Sequence, residues 1–254
     1  MKLFYREYGK GQPIIILHGL FGLSDNWVSV ANELSLNFKI IVPDLRNHGL
    51  SPHSSVMDYE SMSQDLTELL EDLKIEDTIL IGHSMGGKLA MKFALENSIK
   101  VKKLIVVDIS PKKYPPHFLD VIQAFLSVDF NYANSRLKID DQLKKVIESE
   151  KVRQLMMKNL FWKSKNCLGW KLNIDSIKKN LQNILEAITS KNIFDKPTLF
   201  LKGEFSDYIL ENDKKDIRLL FSSSKFVEIR NASHWVHSDS KIDFIKSVNL
   251  FLEA

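Results

Sequence analysis

Residues 78–87 read Thr-Ile-Leu-Ile-Gly-His-Ser-Met-Gly-Gly. The apolar run Thr78–Ile81 leads directly into Gly82-His83-Ser84-Met85-Gly86-Gly87, and Met85, Leu89 and Phe93 then recur at helical spacing. That order dictates a buried strand, a sharp turn and an amphipathic helix. The G-x-S-x-G string puts a serine on the turn, and Gly82 and Gly86 let strand and helix approach each other closely. Such a turn lifts the hydroxyl above the sheet and aims the helix N-terminus at it, so backbone N–H groups can stabilise a developing negative charge. Alone the string is weak, since three fixed positions at about 7% usage recur in roughly one chain in ten of this length. Its place between a strand and a helix makes it specific.

Other short apolar runs flank it: Ile14–Leu17, Ile40–Val42, Leu104–Val107 and Thr198–Leu201. They do not alternate with polar residues, as expected of strands covered on both faces in a parallel sheet. Met62, Leu66, Leu69, Leu70 and Leu73 form a helical stripe between two of them. Strand and helix in alternation predict an α/β doubly wound, mostly parallel sheet. The alternation stops after Val107. From Ser110 to Asp195 the patterns are helical, clearest in Ile174, Ile177, Leu181, Ile184, Leu185 and Ile188, and no strand is expected there. Pro111, Pro115 and Pro116 mark the entry and Pro197 the return. The division expected is a core of residues 1–109 and 196–254 with a helical cap of residues 110–195 inserted between two strands.

A serine nucleophile needs a base, an acid to orient it and donors for the oxyanion. His234 lies after a candidate strand, Phe226–Ile229, and before a C-terminal helix read from Ile242, Ile245 and Leu250. Loops at strand ends are where open α/β sheets gather reacting groups. His237 is the competing base, and too few ligands cluster near the pair to make a metal site. Asp108, at the end of Leu104–Val107, gives the chain order Ser84, Asp108, His234; Asp207 is the alternative acid in the same order, with Glu204 behind it. Oxyanion donors are expected from Met85 N–H and from Leu20 N–H in His18-Gly19-Leu20-Phe21-Gly22. His48 reads as a structural turn residue, with Asp44 and Arg46 as partners.

At this point the residues resemble a family. His18-Gly19-Leu20-Phe21-Gly22, Pro43-Asp44-Leu45-Arg46-Asn47-His48-Gly49-Leu50-Ser51, Gly82-His83-Ser84-Met85-Gly86-Gly87-Lys88, Val107-Asp108-Ile109-Ser110-Pro111 and His234-Trp235-Val236-His237 occur in order along the chain. Together they resemble the bacterial YbfF-type esterases and their mitochondrial abhydrolase relatives, within the α/β-hydrolase superfamily. The resemblance implies ester hydrolysis without a cofactor, a helical cap over the site, Ser84 as nucleophile, His234 as base and Asp108 as acid. Two positions depart from the pattern: Asp207 after the later strand, and Ser233 where glycine usually precedes the histidine.

Composition bounds the remaining choices. The chain has 254 residues, 44% hydrophobic, and a net charge of +3. That excess is too small to argue for nucleic acid. The single cysteine, Cys167, precludes an internal disulfide and has no activating neighbour in sequence. No run is long enough for a membrane span or a signal-peptide core, so the expectation is a soluble cytoplasmic protein, monomer or homodimer, without stable membrane insertion. The substrate class expected is a small acyl ester or thioester. Residues 110–195 carry 15 Lys and Arg against 9 Asp and Glu, which leaves the rest of the chain at −3. A basic cap suits an anionic acyl carrier such as acyl-CoA, although solvated helix faces give the same count. Phe118, Phe125, Phe161, Trp162 and Trp170 are candidates for lining an acyl pocket or packing the cap. Phe21, His83 and Trp235 are further candidate contacts beside the site. A perhydrolase or C–C bond hydrolase would share the triad, and a non-catalytic binding protein of the same fold would usually lack a member of it.

Overall fold

Ile14, Ile15, Ile16 and Leu17 are fully buried, and they face two different cores. Ile15 and Leu17 join Leu80, Leu104, Val106 and Phe200 on one face of the sheet. Ile14 and Ile16 join Ile79, Ile81, Ile105, Val107 and Leu199 on the other. Side chains alternate in direction along a strand, so a strand covered on both faces shows an unbroken apolar run. Helices Tyr59–Asp72 and Met85–Glu96 cover the first face, and helices Val28–Leu34 and Lys241–Glu253 the second.

The computed structural model describes residues 1–116, 118–132, 135–165 and 167–254. Among these the strands are β1 (Tyr5–Tyr8), β2 (Pro13–Leu17), β3 (Lys39–Pro43), β4 (Thr78–His83), β5 (Val101–Val107), β6 (Leu160–Ser164), β7 (Cys167–Trp170), β8 (Thr198–Gly203) and β9 (Ser224–Ile229). Seven form one sheet in the order β1-β3-β2-β4-β5-β8-β9, parallel throughout except for β1. Because β3 lies on one side of β2 and β4 on the other, the winding reverses between them. A crevice opens at the carboxyl ends of strands at such a switch. His18 and Ser84 directly follow those two ends. Among the described residues no helix is long and apolar enough to cross a membrane.

Three local expectations need correction. The insertion between β5 and β8 is not wholly helical, because β6 and β7 form an antiparallel hairpin with Phe161 opposite Gly169 and Trp162 opposite Leu168. The hairpin is only a few residues per strand and follows helix Glu150–Lys158 directly, so no period of two develops in the sequence. The stripe from Ile174 to Ile188 is buried as expected but is carried by two helices, Ile174–Lys179 and Leu181–Leu185, with Ile188 on the chain beyond them. Asn180 divides them, with its side-chain amide donating to the Ser55 and Ser176 carbonyls at 2.9 Å. The C-terminal helix forms but buries Phe244, Val248, Phe251 and Leu252, while Ile242 and Leu250 are exposed. Apolar residues of the insertion, Ile122, Phe125, Ile139, Met156 and Ile184 among them, merge with the core on the first face of the sheet.

Candidate active site

Ser84 sits between β4 and helix Met85–Glu96 at φ 52°, ψ −119°. That conformation costs a non-glycine residue on the order of 1–3 kcal/mol and persists only where its surroundings hold it. Here Ser84 N–H donates to the Val107 carbonyl at 3.1 Å, and the Ser84 carbonyl accepts from Lys88 N–H at 3.0 Å. The flanking glycines are obligatory. A Cβ on Gly82 would lie 2.2 Å from the Gly86 carbonyl oxygen, and one on Gly86 would lie 2.3 Å from that of Leu17. Backbone cannot yield at those distances without parting the strand from the helix.

His234 follows β9. Its Nδ1 lies 2.8 Å from Oδ2 of Asp108, a residue with no exposed surface. A carboxylate only accepts, so Nδ1 carries the proton and Nε2 of the neutral ring is left as the acceptor. Asp108 is itself held in place. Its N–H donates to the Leu201 carbonyl at 2.8 Å, Gly203 N–H donates to its Oδ1 at 3.0 Å, and the Ser206 hydroxyl donates to its Oδ2. Tyr208 stacks on the His234 ring at 3.8 Å between centroids and lines the same cavity as Ser84. His83 donates from Nε2 to the His234 carbonyl at 2.8 Å, which ties the His234 loop to the Ser84 turn. Burial holds His83 well below the ordinary imidazole range. Asp207, the other candidate acid, is exposed and lines a separate surface cleft with Lys112 and Lys113.

Leu20 and Met85 both line the cavity that reaches Ser84. The loop carrying Leu20 is shaped by two buried histidines. His18 Nε2 accepts from Leu45 N–H at 2.9 Å, and His48 Nε2 accepts from Phe21 N–H at 3.2 Å. Their Nδ1 atoms face the Gly19 and Arg46 carbonyls, each at 2.8 Å, which fixes both tautomers. Burial pushes His18 down to about 4 and His48 to about 3, so both are neutral scaffolding at neutral pH. The Asp44 carboxylate completes the turn by accepting from Ser24 and Leu50 N–H groups.

Two cavities meet at Leu20. One, a narrow space of about 20 Å³, reaches Ser84 and is walled by Tyr59, Ile109, Tyr114, Phe118, Ile184 and Leu185. The other is a crevice of about 170 Å³ between helix Glu150–Lys158 and the core. Lys151, Gln154, Leu155 and Lys158 of that helix face Trp27, His83, Trp235 and His237 across it. His237 stacks on Trp27 at 4.0 Å, and burial pushes its imidazole down to about 3. Phe21 and Phe125 are buried in mutual contact, 5.4 Å between centroids, and line neither cavity. Phe161 and Trp162 lie on the hairpin, also outside both linings, with Trp162 exposed. Ser233, where the resembled family has glycine, donates through N–H and Oγ to the Asp239 carboxylate. Among the described residues no group of three His, Cys, Asp or Glu could hold a metal ion.

A model of the alpha/beta hydrolase fold family matches residues 12–241. The chain belongs to the α/β-hydrolase family. Within it, the chain is 42% identical to the sn-1-specific diacylglycerol lipase ABHD11 of Danio rerio over 255 residues, covering 96% of this chain and 80% of that protein. It is 32% identical to Esterase YbfF of Escherichia coli (strain K12), covering 94% of this chain and 92% of that one. The solved structure of a marine microorganism esterase superposes with a TM-score of 0.96 at 44% identity, over 98% of this chain and 99% of the other. The resemblance read from the five motifs thus extends along nearly all of this α/β-hydrolase. Sequence reasoning passed over Ser206 and Tyr208. Their signal was position alone: both follow the carboxyl end of β8, next to the Asp207 that was weighed.

Proposed function

We propose that this α/β-hydrolase is a serine esterase that hydrolyses carboxylic esters or thioesters through an acyl-enzyme on Ser84. The observation that carries the reading is the bond from His234 Nδ1 to the buried carboxylate of Asp108, the residue after Val107, whose carbonyl accepts from Ser84 N–H on its strained turn. With Nδ1 committed to Asp108, Nε2 of His234 takes the Ser84 proton as Oγ attacks the acyl carbonyl. Asp108 stabilises the imidazolium so formed. Leu20 and Met85 N–H groups donate to the oxyanion. His234 then returns the proton to the leaving alcohol or thiol, and water activated by the same ring releases the acid. The names of the relatives, a diacylglycerol lipase and an esterase, agree with ester hydrolysis.

In this reading residues 110–195 are a cap over a core of residues 1–109 and 196–254. The apolar cavity takes the acyl group. Lys158 stands at the edge of the crevice, where Lys151 is ion-paired with Asp239, and its charge favours a leaving group that bears negative charge, as in acyl-CoA. No step calls for a cofactor. A fluorophosphonate probe tests the core of the reading. Labelling of the wild-type protein that disappears in Ser84→Ala, with ester turnover falling by about 10⁴ or more, is expected. Full turnover by Ser84→Ala would overturn it, as would a wild-type protein that the probe leaves unlabelled.

A further inference from the structure

Lys88 lies one helical turn beyond Ser84 and is 1% exposed. Its ammonium donates to three carbonyl oxygens, those of Lys112 at 2.7 Å, Leu185 at 3.2 Å and Glu186 at 2.5 Å. An ammonium has three N–H donors, so all are engaged by backbone. The nearby carboxylates are occupied elsewhere, Glu186 by Lys113 at 2.8 Å and Asp213 by Lys112 at 2.6 Å. The Tyr114 ring supports the charge, with Nζ 5.1 Å from its centroid.

The three acceptors belong to two separate stretches of chain. Lys112 lies on the stretch entering the insertion, and Leu185 and Glu186 lie on the stretch leaving it. These stretches also bond to each other: Tyr114 N–H donates to the Leu185 carbonyl at 3.0 Å, and Ile188 N–H to that of Pro111 at 2.7 Å. They form a neck. Tyr114 and Leu185, one from each side of it, wall the cavity over Ser84. A buried charge is costly, and an apolar side chain would fill the space at lower electrostatic cost. What the ammonium adds is direction: three acceptors held at fixed positions from the helix that carries the serine.

We infer that Lys88 is a positioning residue that sets acyl-chain selectivity, by pinning both sides of the neck to the Ser84 helix and so fixing the width of the acyl cavity. The pinning stands on geometry alone; its kinetic consequence rests on the Ser84 reading. Lys88→Met, an unbranched side chain one heavy atom shorter, fills most of the same space and removes every donor. Its kcat and KM are compared with wild type on p-nitrophenyl acetate, butyrate and octanoate. A loosened neck widens a narrow cavity, so the octanoate-to-acetate ratio of kcat/KM rises about tenfold, the size expected for a pocket gaining room for a methylene or more. The change lies in KM, and fluorophosphonate labelling of Ser84 persists. An unchanged or smaller ratio in a protein that still labels overturns the inference. Failure of the wild-type protein to label strikes the esterase reading instead. Should Lys88→Met not fold, hydrogen exchange on the wild-type protein decides. Tyr114 and Ile188 amides are expected to be protected like those of β4 and β5, and exchange at loop rates overturns the pinning.

Discussion

On the sheet side, after the carboxyl ends of β5, β8 and β9, Asp108, His234 and Ser206 are joined by directional hydrogen bonds between buried or half-buried groups. On the insertion side, Phe118, Ile184 and Leu185 meet the Ser84 cavity with apolar surface, and Lys151 and Lys158 meet the neighbouring crevice with charge. The two kinds of contact tolerate error differently. A proton-transfer chain fails when an atom moves by an ångström, because its bonds depend on both distance and angle. Apolar packing and screened charge vary gradually with position. On the proposed esterase reading, the sheet side governs rate and the insertion side governs which substrates fit.

The largest expected effect tests that division on the sheet side. Asp108→Asn keeps the shape but offers His234 an amide that can favour the wrong tautomer, and kcat should fall by about 10⁴. Asp207→Asn, on the exposed cleft, should leave kcat within about twofold, as surface changes away from the machinery do. Equal losses in the two variants, measured on one ester, would break the comparison.

A second test concerns the histidines that shape the sheet side. His18, His48 and His237 are pushed down to about 4, 3 and 3 by burial. An unfolded chain takes up protons on these rings near pH 6.5, whereas the folded protein does so only near 3–4. The unfolded state thus binds more protons in that window, and stability falls as pH drops from 6.5 towards 4. The slope is about 1.4 kcal/mol per pH unit for each ring. Urea unfolding midpoints followed from pH 7 to 4.5 should decline steeply, and a flat profile would show that these rings are not buried neutral.

The smallest effect belongs to the insertion side. The double variant Lys151→Ala and Lys158→Ala should lower kcat/KM for a CoA thioester by about three- to tenfold, and by less for a neutral short ester. The gap should close as salt is raised. Equal sensitivity of both substrates at every ionic strength would remove charge from the account of selectivity.

Much of the sheet was legible because each central strand is an unbroken apolar run, and covering both faces leaves no other pattern. β1 was not, since a half-exposed edge strand can read Tyr-Arg-Glu-Tyr and show no apolar run. The hairpin β6–β7 was too short for its period to emerge beside a helix. The turn around Ser84 announced itself through its glycines, since contacts of 2.2–2.3 Å to backbone carbonyls leave no alternative residue. For Gly82 that constraint is local, set by the Gly86 carbonyl four residues on, whereas for Gly86 it acts against Leu17 at the end of β2. Chain order admitted both Asp108 and Asp207 beside His234.

Which carboxylate meets the ring was decided by the pairing of β5 with β8, which brings Asp108 to Gly203 and Ser206, some 95 residues on. The role of Lys88 was likewise invisible, because its acceptors are backbone oxygens, which every residue supplies and no sequence distinguishes. The amino-acid order thus determined the parallel strands of the sheet, the strained turn and the kinds of group at hand. Only the packed chain decided which of them touch, because contact between residues distant in sequence depends on how strands are ordered and how an insertion is tied down.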